Sequence, residues 1–281
     1  MRTFCYNNFR DAESIDNKRG DHDLVTMLRF YWVIFWNFYH IYMIPKMAYM
    51  AKHTEKFDES KRYKIARRAI YYMMRTGNIK TTCEGLENLP EEGGYVMYPN
   101  HQGKFDALSI MITHADPCSV VVDDAVSYGI LIKEFIDLVE GERMKLDDVR
   151  QALEIIKKTS SEVKEGRRYI IFSEGGYKNN GNTLQEFKPG SFKMAMMAKA
   201  PIVPVALTDS YKVFGENSLA PVTAKVRYLP PLYYEDYKDM NSREICALVK
   251  ARIQQAIDDE LERRRKKRTG FGRLAQWLHR R

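Results

Sequence analysis

The sequence predicts an α/β fold, with helices around a largely parallel or mixed sheet and an N-terminal membrane-associated helical hairpin. Three observations predict it. Between Thr81 and about Leu232, short apolar runs of strand length alternate with amphipathic stretches of helix length. Turns rich in glycine and proline separate these runs. Ahead of this body, the run Phe30 to Ile44 is apolar except for Asn37 and His40, and eight of its fifteen residues are aromatic.

The elements follow in order. Fifteen helical residues span about 22 Å, short of the ~30 Å hydrocarbon core. Aromatic residues favour the interface, so Phe30–Ile44, ended by Pro45 and Lys46, reads as a re-entrant or half-buried helix. Lys61 to Arg75, KRYKIARRAIYYMMR, mixes basic residues with an apolar stripe and would complete the hairpin in one leaflet. The other reading is an aromatic-rich core helix. GGYVMYP then reads as a strand, DALSIMITH as a helix capped by Asp106, and CSVVVDD as a strand. Asp147 to Glu165 reads as a helix with acids at its start and Gly166 at its end. RRYIIFSEGG is a strand running into a glycine turn. EFKPGSFKMAMMAKA holds a helix, PIVPVALTD is a strand bracketed by prolines, and AKVRYLPPL is a late strand. The organisation expected is a membrane-associated helical region over residues 1–79, an α/β domain over 80–258 and a basic amphipathic tail over 259–281.

Charge separates the tail from the body. From Leu261 to Arg281 there are nine Lys/Arg against one acid, Glu262, so the remainder of the 281-residue chain, whose net charge is +8, is neutral. A neutral body argues against nucleic acid as partner and for a local tether. Phe271, Leu274, Trp277 and Leu278 recur at helical spacing among arginines, the make-up of an amphipathic helix on an anionic lipid surface. A solvated terminus is the alternative. Cys5, Cys83, Cys118 and Cys246 form no CxxC pair or metal-ligand spacing, and read as reduced thiols. The chain shows no Asn-x-Ser/Thr sequon and opens on a polar stretch rather than a cleavable leader. These features point to a cytoplasmic setting.

Two turns carry chemistry. In PNHQGKFD, His101 stands where a strand ends and a helix begins, the edge at which α/β sheets bind ligands. Neither helix nor strand brings His101 to Asp106 five residues on, but a loop bent at Gly103 would. The carboxylate would then hold Nδ1 and leave Nε2 to take a proton. The plainer reading, a polar loop histidine beside a helix cap, stays open at this point. In FSEGGYK, Glu174 follows a buried strand and precedes two glycines, placed to bind hydroxyls or orient a cation. Phe187-Lys188-Pro189-Gly190 enters the next helix, where backbone N–H groups would favour an anion.

Taken together, these segments resemble the glycerolipid acyltransferase family, of which lysophosphatidic acid acyltransferase is the type member. NHQGKFD is similar to its His-x4-Asp signature, and FSEGG stands where the family has Phe-Pro-Glu-Gly-Thr-Arg. EFKPGSFKMA and APIVPVAL resemble the segments that follow, in order, over roughly residues 80–230. The resemblance implies direct acyl transfer from an acyl-carrier-protein or acyl-CoA thioester to a lysophospholipid hydroxyl, most simply that of lysophosphatidic acid, in phospholipid synthesis or remodelling. His101 would be the base and Asp106 its orienting partner. Asn100, Lys104, Glu174, Gly175, Lys178 and Lys188 would bind substrate. No metal or cofactor is implied, and the expected partners are the donor, the lipid acceptor and the membrane surface at the cytoplasmic face of the cell membrane. Two departures stand out. The family arginine after Glu-Gly-Thr is replaced: the positions read Gly176 and Tyr177, with Lys178 next, and a lysine supplies charge without the bidentate fork. The family's second motif is poorly kept, leaving Arg143 and Lys145 near its place. A hydrolase using the same dyad on water, and a non-catalytic membrane-binding protein of this fold, are the alternatives.

Overall fold

The computed structural model describes residues 28–129, 132–178 and 180–278, with side chains described to residue 267 except that of Tyr39. The helices are α1 (Leu28–Trp36), α2 (Met43–Lys52), α3 (Glu59–Thr76), α4 (Asp106–Thr113), α5 (Ile132–Leu138), α6 (Val149–Lys164), α7 (Lys193–Ala198), α8 (Tyr211–Gly215), α9 (Tyr234–Tyr237) and α10 (Ser242–Leu278). The strands are β1 (Ile79–Glu84), β2 (Val96–Pro99), β3 (Ser119–Asp123), β4 (Glu142–Met144), β5 (Tyr169–Ile171), β6 (Ile202–Thr208) and β7 (Val222–Tyr228).

The seven strands of the described residues form one sheet in the order β1-β7-β6-β2-β5-β3-β4. The block β6-β2-β5-β3-β4 is parallel throughout. Strand β7 runs antiparallel to β6, and β1 lies parallel to β7. The sheet is therefore mixed, and the fold is α/β. Strands β2, β5 and β6 are buried along their whole length, as expected for parallel strands covered on both faces. Successive residues alternate between the two covers. Val96, Tyr98 and Tyr169 pack with Phe192, Ala195 and Ile253 from the α7 and α10 side. Tyr95, Met97 and Ile170 pack with Met50, Tyr63, Ala66 and Ile110 from the α2, α3 and α4 side.

The strands read at GGYVMYP, CSVVVDD, RRYIIFSEGG, PIVPVALTD and AKVRYLPPL are β2, β3, β5, β6 and β7. Helix α6 starts at its cap Asp148, whose carboxylate accepts from Gln151 N at 3.0 Å. Several expectations change. Pro45 does not end a helix: it sits in the first turn of α2, where a missing N–H removes no helical bond. The run Phe30–Ile44 is split between α1, a short 3-10 turn over Phe38–His40 and the start of α2. The apolar stripe of α3 is buried in the body through Tyr63, Ala66 and Ile70, so it is not open to a leaflet. Helix α10 runs unbroken across residue 258, and its first tail arginines are ion-paired to Glu84, Asp209 and Glu260. Phe271, Leu274, Trp277 and Leu278 have side chains outside those described, and residues 1–27 with Cys5 lie outside the described residues. Cys83, Cys118 and Cys246 are free.

Helix α1 is docked rather than tethered. Arg29 is 2% exposed, and its guanidinium donates to the carbonyls of Lys212 (3.3 Å), Val213 (3.2 Å) and Ala220. Phe30 meets Phe214 edge to face at 5.6 Å. The opposite surface of this region exposes Tyr31, Trp32, Ile34, Phe35, Trp36, Phe38, Ile41 and Tyr42. Among the described residues, no helix is long and apolar enough to cross a membrane.

Candidate active site

The parallel block sends the carboxyl ends of β6, β2 and β5 to one edge, and the loops leaving them carry Ser210, His101 and Glu174. Residues far apart in the chain meet there because the strands are neighbours. This is the edge at which an open α/β sheet forms its crevice.

His101 Nδ1 lies 2.7 Å from Asp106 Oδ2, with the histidine 17% exposed and the aspartate fully buried. Asp106 is the first residue of α4, and Phe105 is the residue that flanks it. Its carboxylate does not cap the helix. Oδ2 turns back to accept the N–H groups of Gln102 (2.5 Å) and Gly103 (2.8 Å), and Oδ1 accepts the hydroxyl of Ser210 (2.5 Å). These bonds, and not a special glycine conformation, bend the loop. Gly103 has no positive φ, and a Cβ there would meet Tyr211 Cα at an ordinary 3.5 Å. Four donors converge on Asp106, which matches the acceptor capacity of a carboxylate. Acting as acceptor, it leaves Nδ1 as the protonated nitrogen and Nε2 as the basic one.

Glu174 forms the second wall. It is 7% exposed, its Oε1 accepts the backbone N–H of His101 at 3.1 Å, and its Oε2 accepts Gln185 Nε2 at 2.6 Å. Burial raises its carboxyl above the ordinary value, while the bonds from His101 and Gln185 pull the other way. The imidazole lies between two rings, stacked on Phe172 at 4.1 Å and edge to face with Tyr177 at 4.9 Å. Gly175 takes φ +68° and Gly176 φ +142°, the conformations that turn the chain back over His101. A Cβ on Gly175 would strike Lys188 Nζ at 2.5 Å, so the lysine lies across that glycine. Lys188 itself precedes a 3-10 turn, Pro189–Phe192, rather than a long helix.

The other expected residues are placed differently. Asn100 is 2% exposed and bonds both polar groups of Leu207: Nδ2 to O at 3.1 Å, and N to Oδ1 at 2.7 Å. It is a strut between the ends of β2 and β6, not an open substrate contact. Lys104 is exposed, with Nζ 5.7 Å from the centroid of Phe30 in α1. Lys178 is exposed one residue after Tyr177. Arg143 is on edge strand β4 and is engaged by Asp137 (2.6 Å) and Ser127 (3.1 Å), with Lys145 exposed beyond it. Among the described residues, no cluster of His, Cys, Asp and Glu suits a metal.

A family model described as acyltransferase matches residues 80–208. The chain is 26% identical over 211 residues to a 1-acyl-sn-glycerol-3-phosphate acyltransferase alpha of Mus musculus, covering 73% of this chain and 70% of that one. It is also 26% identical over 153 residues to a 1-acyl-sn-glycerol-3-phosphate acyltransferase of Borreliella burgdorferi, covering 54% and 61%. The crystal structure of the 1-acyl-sn-glycerophosphate acyltransferase PlsC from Thermotoga maritima has the same fold, with TM-score 0.63 over 86% of this chain and 97% of that one, at 18% identity. Residues 80–208 form an acyltransferase domain, similar to that of the glycerolipid acyltransferases.

In this acyltransferase, then, the fold brings together the histidine, the aspartate and the glutamate read from the sequence, and it adds residues holding them that the sequence reading lacks. Gln102, 2% exposed, accepts Ser210 N–H through Oε1 at 3.1 Å and donates through Nε2 to Asn182 and Leu207. Its position inside the motif was the available signal. Ser210 and Gln185 offer none, because each follows its strand at ordinary loop positions and only the fold brings Ser210 to Asp106 and Gln185 to Glu174.

Proposed function

We propose that this enzyme moves a fatty acyl group from an acyl-CoA or acyl-carrier-protein thioester to the free hydroxyl of lysophosphatidic acid. The observation that carries the reading is the His101–Asp106 pair at 2.7 Å, set at the carboxyl edge of the sheet. His101 Nε2 takes the proton of the acceptor hydroxyl as its oxygen attacks the thioester carbonyl. Asp106 stabilises the imidazolium that forms. Collapse of the tetrahedral intermediate breaks the C–S bond, and the imidazolium returns the proton to the departing thiolate. The products are the new ester and the free thiol. The attacking oxygen belongs to the substrate, so the protein needs no nucleophile of its own.

The acceptor is argued from the relatives, which are named for 1-acyl-sn-glycerol-3-phosphate. Tyr177 stands edge-on to His101 where the family carries an arginine. The phosphate therefore falls to lysines, Lys188 across Gly175 first and Lys178 next. Glu174 and Gly175 line the acceptor side. The same reading sets the enzyme on a membrane surface at the cytoplasmic face, where thioester donors are dissolved. The exposed aromatic surface of α1 and its following turn enters the interface, and the basic tail adds attraction to anionic lipid.

Purified enzyme, a panel of lysophospholipids and labelled acyl-CoA and acyl-carrier protein test this directly. Acylated lipid from lysophosphatidic acid is the expected product. Free fatty acid as the sole product, with or without acceptor, would make the protein a thioesterase instead.

A further inference from the structure

Asp106 is gripped at both oxygens, and the second grip leads away from the site. Ser210 is 1% exposed and its hydroxyl lies 2.5 Å from Asp106 Oδ1 and 2.9 Å from Gln102 Oε1. It carries one proton. Gln102 Oε1 already accepts the Ser210 backbone N–H, so the hydroxyl proton goes to the carboxylate, the shorter and charge-assisted contact. Oδ1 is the oxygen that does not touch His101. Holding it fixes the rotation of the carboxylate about its Cβ–Cγ bond, and hence where Oδ2 presents itself to the imidazole.

The turn that delivers Ser210 is itself held from outside. Asp209 adopts φ +63°, a left-handed conformation that a non-glycine residue keeps only with support. Asn182 gives part of that support, donating to Asp209 Oδ1 and accepting Asp209 N–H, each at 2.9 Å. Its Oδ1 also accepts Gln102 Nε2 at 2.9 Å. The rest comes from Arg264 on α10, whose Nη1 lies 2.5 Å from Asp209 Oδ2, with Lys212 Nζ at 3.3 Å from the same oxygen. Arg264 is aimed by Glu260, which accepts its Nε at 2.8 Å and is tied at 2.8 Å to Lys225 of β7.

We propose that Ser210 is the positioning residue of the dyad and that Arg264, through Asp209, holds Ser210 in place, making the C-terminal helix part of the catalytic apparatus. The Arg264–Asp209 contact joins residues 55 positions apart, and the Ser210–Asp106 contact joins residues 104 apart. No substrate need touch either Ser210 or Arg264. Their effect is on how often His101 is presented correctly, which enters turnover and not affinity.

The inference rests on His101 acting as the base, and the experiment separates the two. Steady-state kinetics with both substrates are measured for Ser210→Ala, Ser210→Thr, Arg264→Ala, Arg264→Lys and His101→Ala. Lys250→Ala, which breaks another α10 ion pair (Lys250–Glu186, 2.6 Å), is the control. A positioned base contributes ~10²–10⁴-fold, so Ser210→Ala should lower kcat by ~10- to 100-fold with both KM values unchanged, and Ser210→Thr should restore most of it. Arg264→Ala should lower kcat by a smaller factor, with Arg264→Lys closer to wild type. The downfield Nδ1–H proton resonance of His101, assigned by its loss in His101→Ala, should move in Ser210→Ala and Arg264→Ala and stay in place in Lys250→Ala. Arg264, 35% exposed, carries the test where Ser210→Ala does not fold. Wild-type turnover in Ser210→Ala beside an inactive His101→Ala overturns the positioning role alone. An Arg264→Ala indistinguishable from Lys250→Ala removes the helix from it. Full turnover in His101→Ala overturns the base itself.

Discussion

The backbone N–H of His101 donates to Glu174 Oε1 across 73 residues of chain, so the loop after β2 leans on the loop after β5. Glu174 accepts with both oxygens, the second from Gln185. Glu174→Gln keeps the shape but has one acceptor where two donors wait. The expected outcome is a loss of about 1–3 kcal/mol in denaturant melts, together with lower turnover. Wild-type stability in that variant would mean that the two bonds are dispensable.

The dyad itself gives a graded pair. His101→Ala removes the base from a loop and should abolish transfer while leaving the melting curve near wild type. Asp106→Asn should lose turnover and stability together. Its amide would turn an N–H toward donors that now meet oxygen, at Gln102 N and Gly103 N or at Ser210 Oγ. Equal stability of the two variants would argue that the buried carboxylate is not the keystone of this loop.

Asn100 separates a strut from a substrate contact. Asn100→Ala leaves the Leu207 N–H without its side-chain acceptor and the Leu207 C=O with Gln102 Nε2 as its side-chain donor, and should destabilise by about 1–3 kcal/mol at unchanged KM for acceptor and donor. A raised KM with full stability would return Asn100 to the binding surface.

His114 predicts a pH dependence away from the site. It is 1% exposed, its Nδ1–H donates to Asp116 O at 2.7 Å, and Nε2 faces the Tyr95 hydroxyl at 2.5 Å. Burial lowers its basicity, outweighing the pull of the Asp116 carbonyl. The unfolded chain therefore takes up a proton first. Stability is unaffected above the ordinary histidine value of about 6.5 and declines as pH falls below it, until the lowered native value is reached. Melts of wild type and His114→Gln over a pH series check this: the difference between them should narrow on acidification, and parallel curves would dismiss the effect.

Membrane attachment should be of two kinds. Phe35→Ser with Phe38→Ser, at two of the most exposed aromatic positions, should weaken vesicle binding equally at low and high salt. Truncating the chain after residue 267 should weaken binding to anionic vesicles at low salt only, because that attraction is screened. Full binding by the double variant would remove the aromatic surface from the interface.

What the sequence discloses follows from how far apart the interacting residues lie. His101 and Asp106 share one short loop, and Glu174 ends a run of buried apolar residues, so both turns are visible as local patterns. β2, β5 and β6 are legible for the same reason: covered on both faces, they are continuous apolar runs. β4 is three half-buried residues, Glu142–Met144, at a sheet edge, and β1 reads IKTTCE with a single fully buried position. Neither stands out from a loop by composition. The Asp106–Ser210 and Asp209–Arg264 contacts exist only because β6 lies beside β2 and α10 returns across their ends, which no local pattern encodes. Pro45 misled because proline stops a helix in its interior and is tolerated in its first turn.

Arg29 has a consequence for how the enzyme would meet a bilayer. A protein held by a flexible leash can roll, and its crevice faces the lipid only part of the time. Here the guanidinium is bolted to three carbonyls of the body, and the neighbouring Phe30 ring lies beneath Lys104, two residues before Asp106. An aromatic helix fixed in that way acts as a keel. On the proposed membrane surface, whatever angle it took in the headgroup layer would be imposed on the whole sheet, so depth and heading of the crevice would be set in one docking event rather than searched for at each turnover.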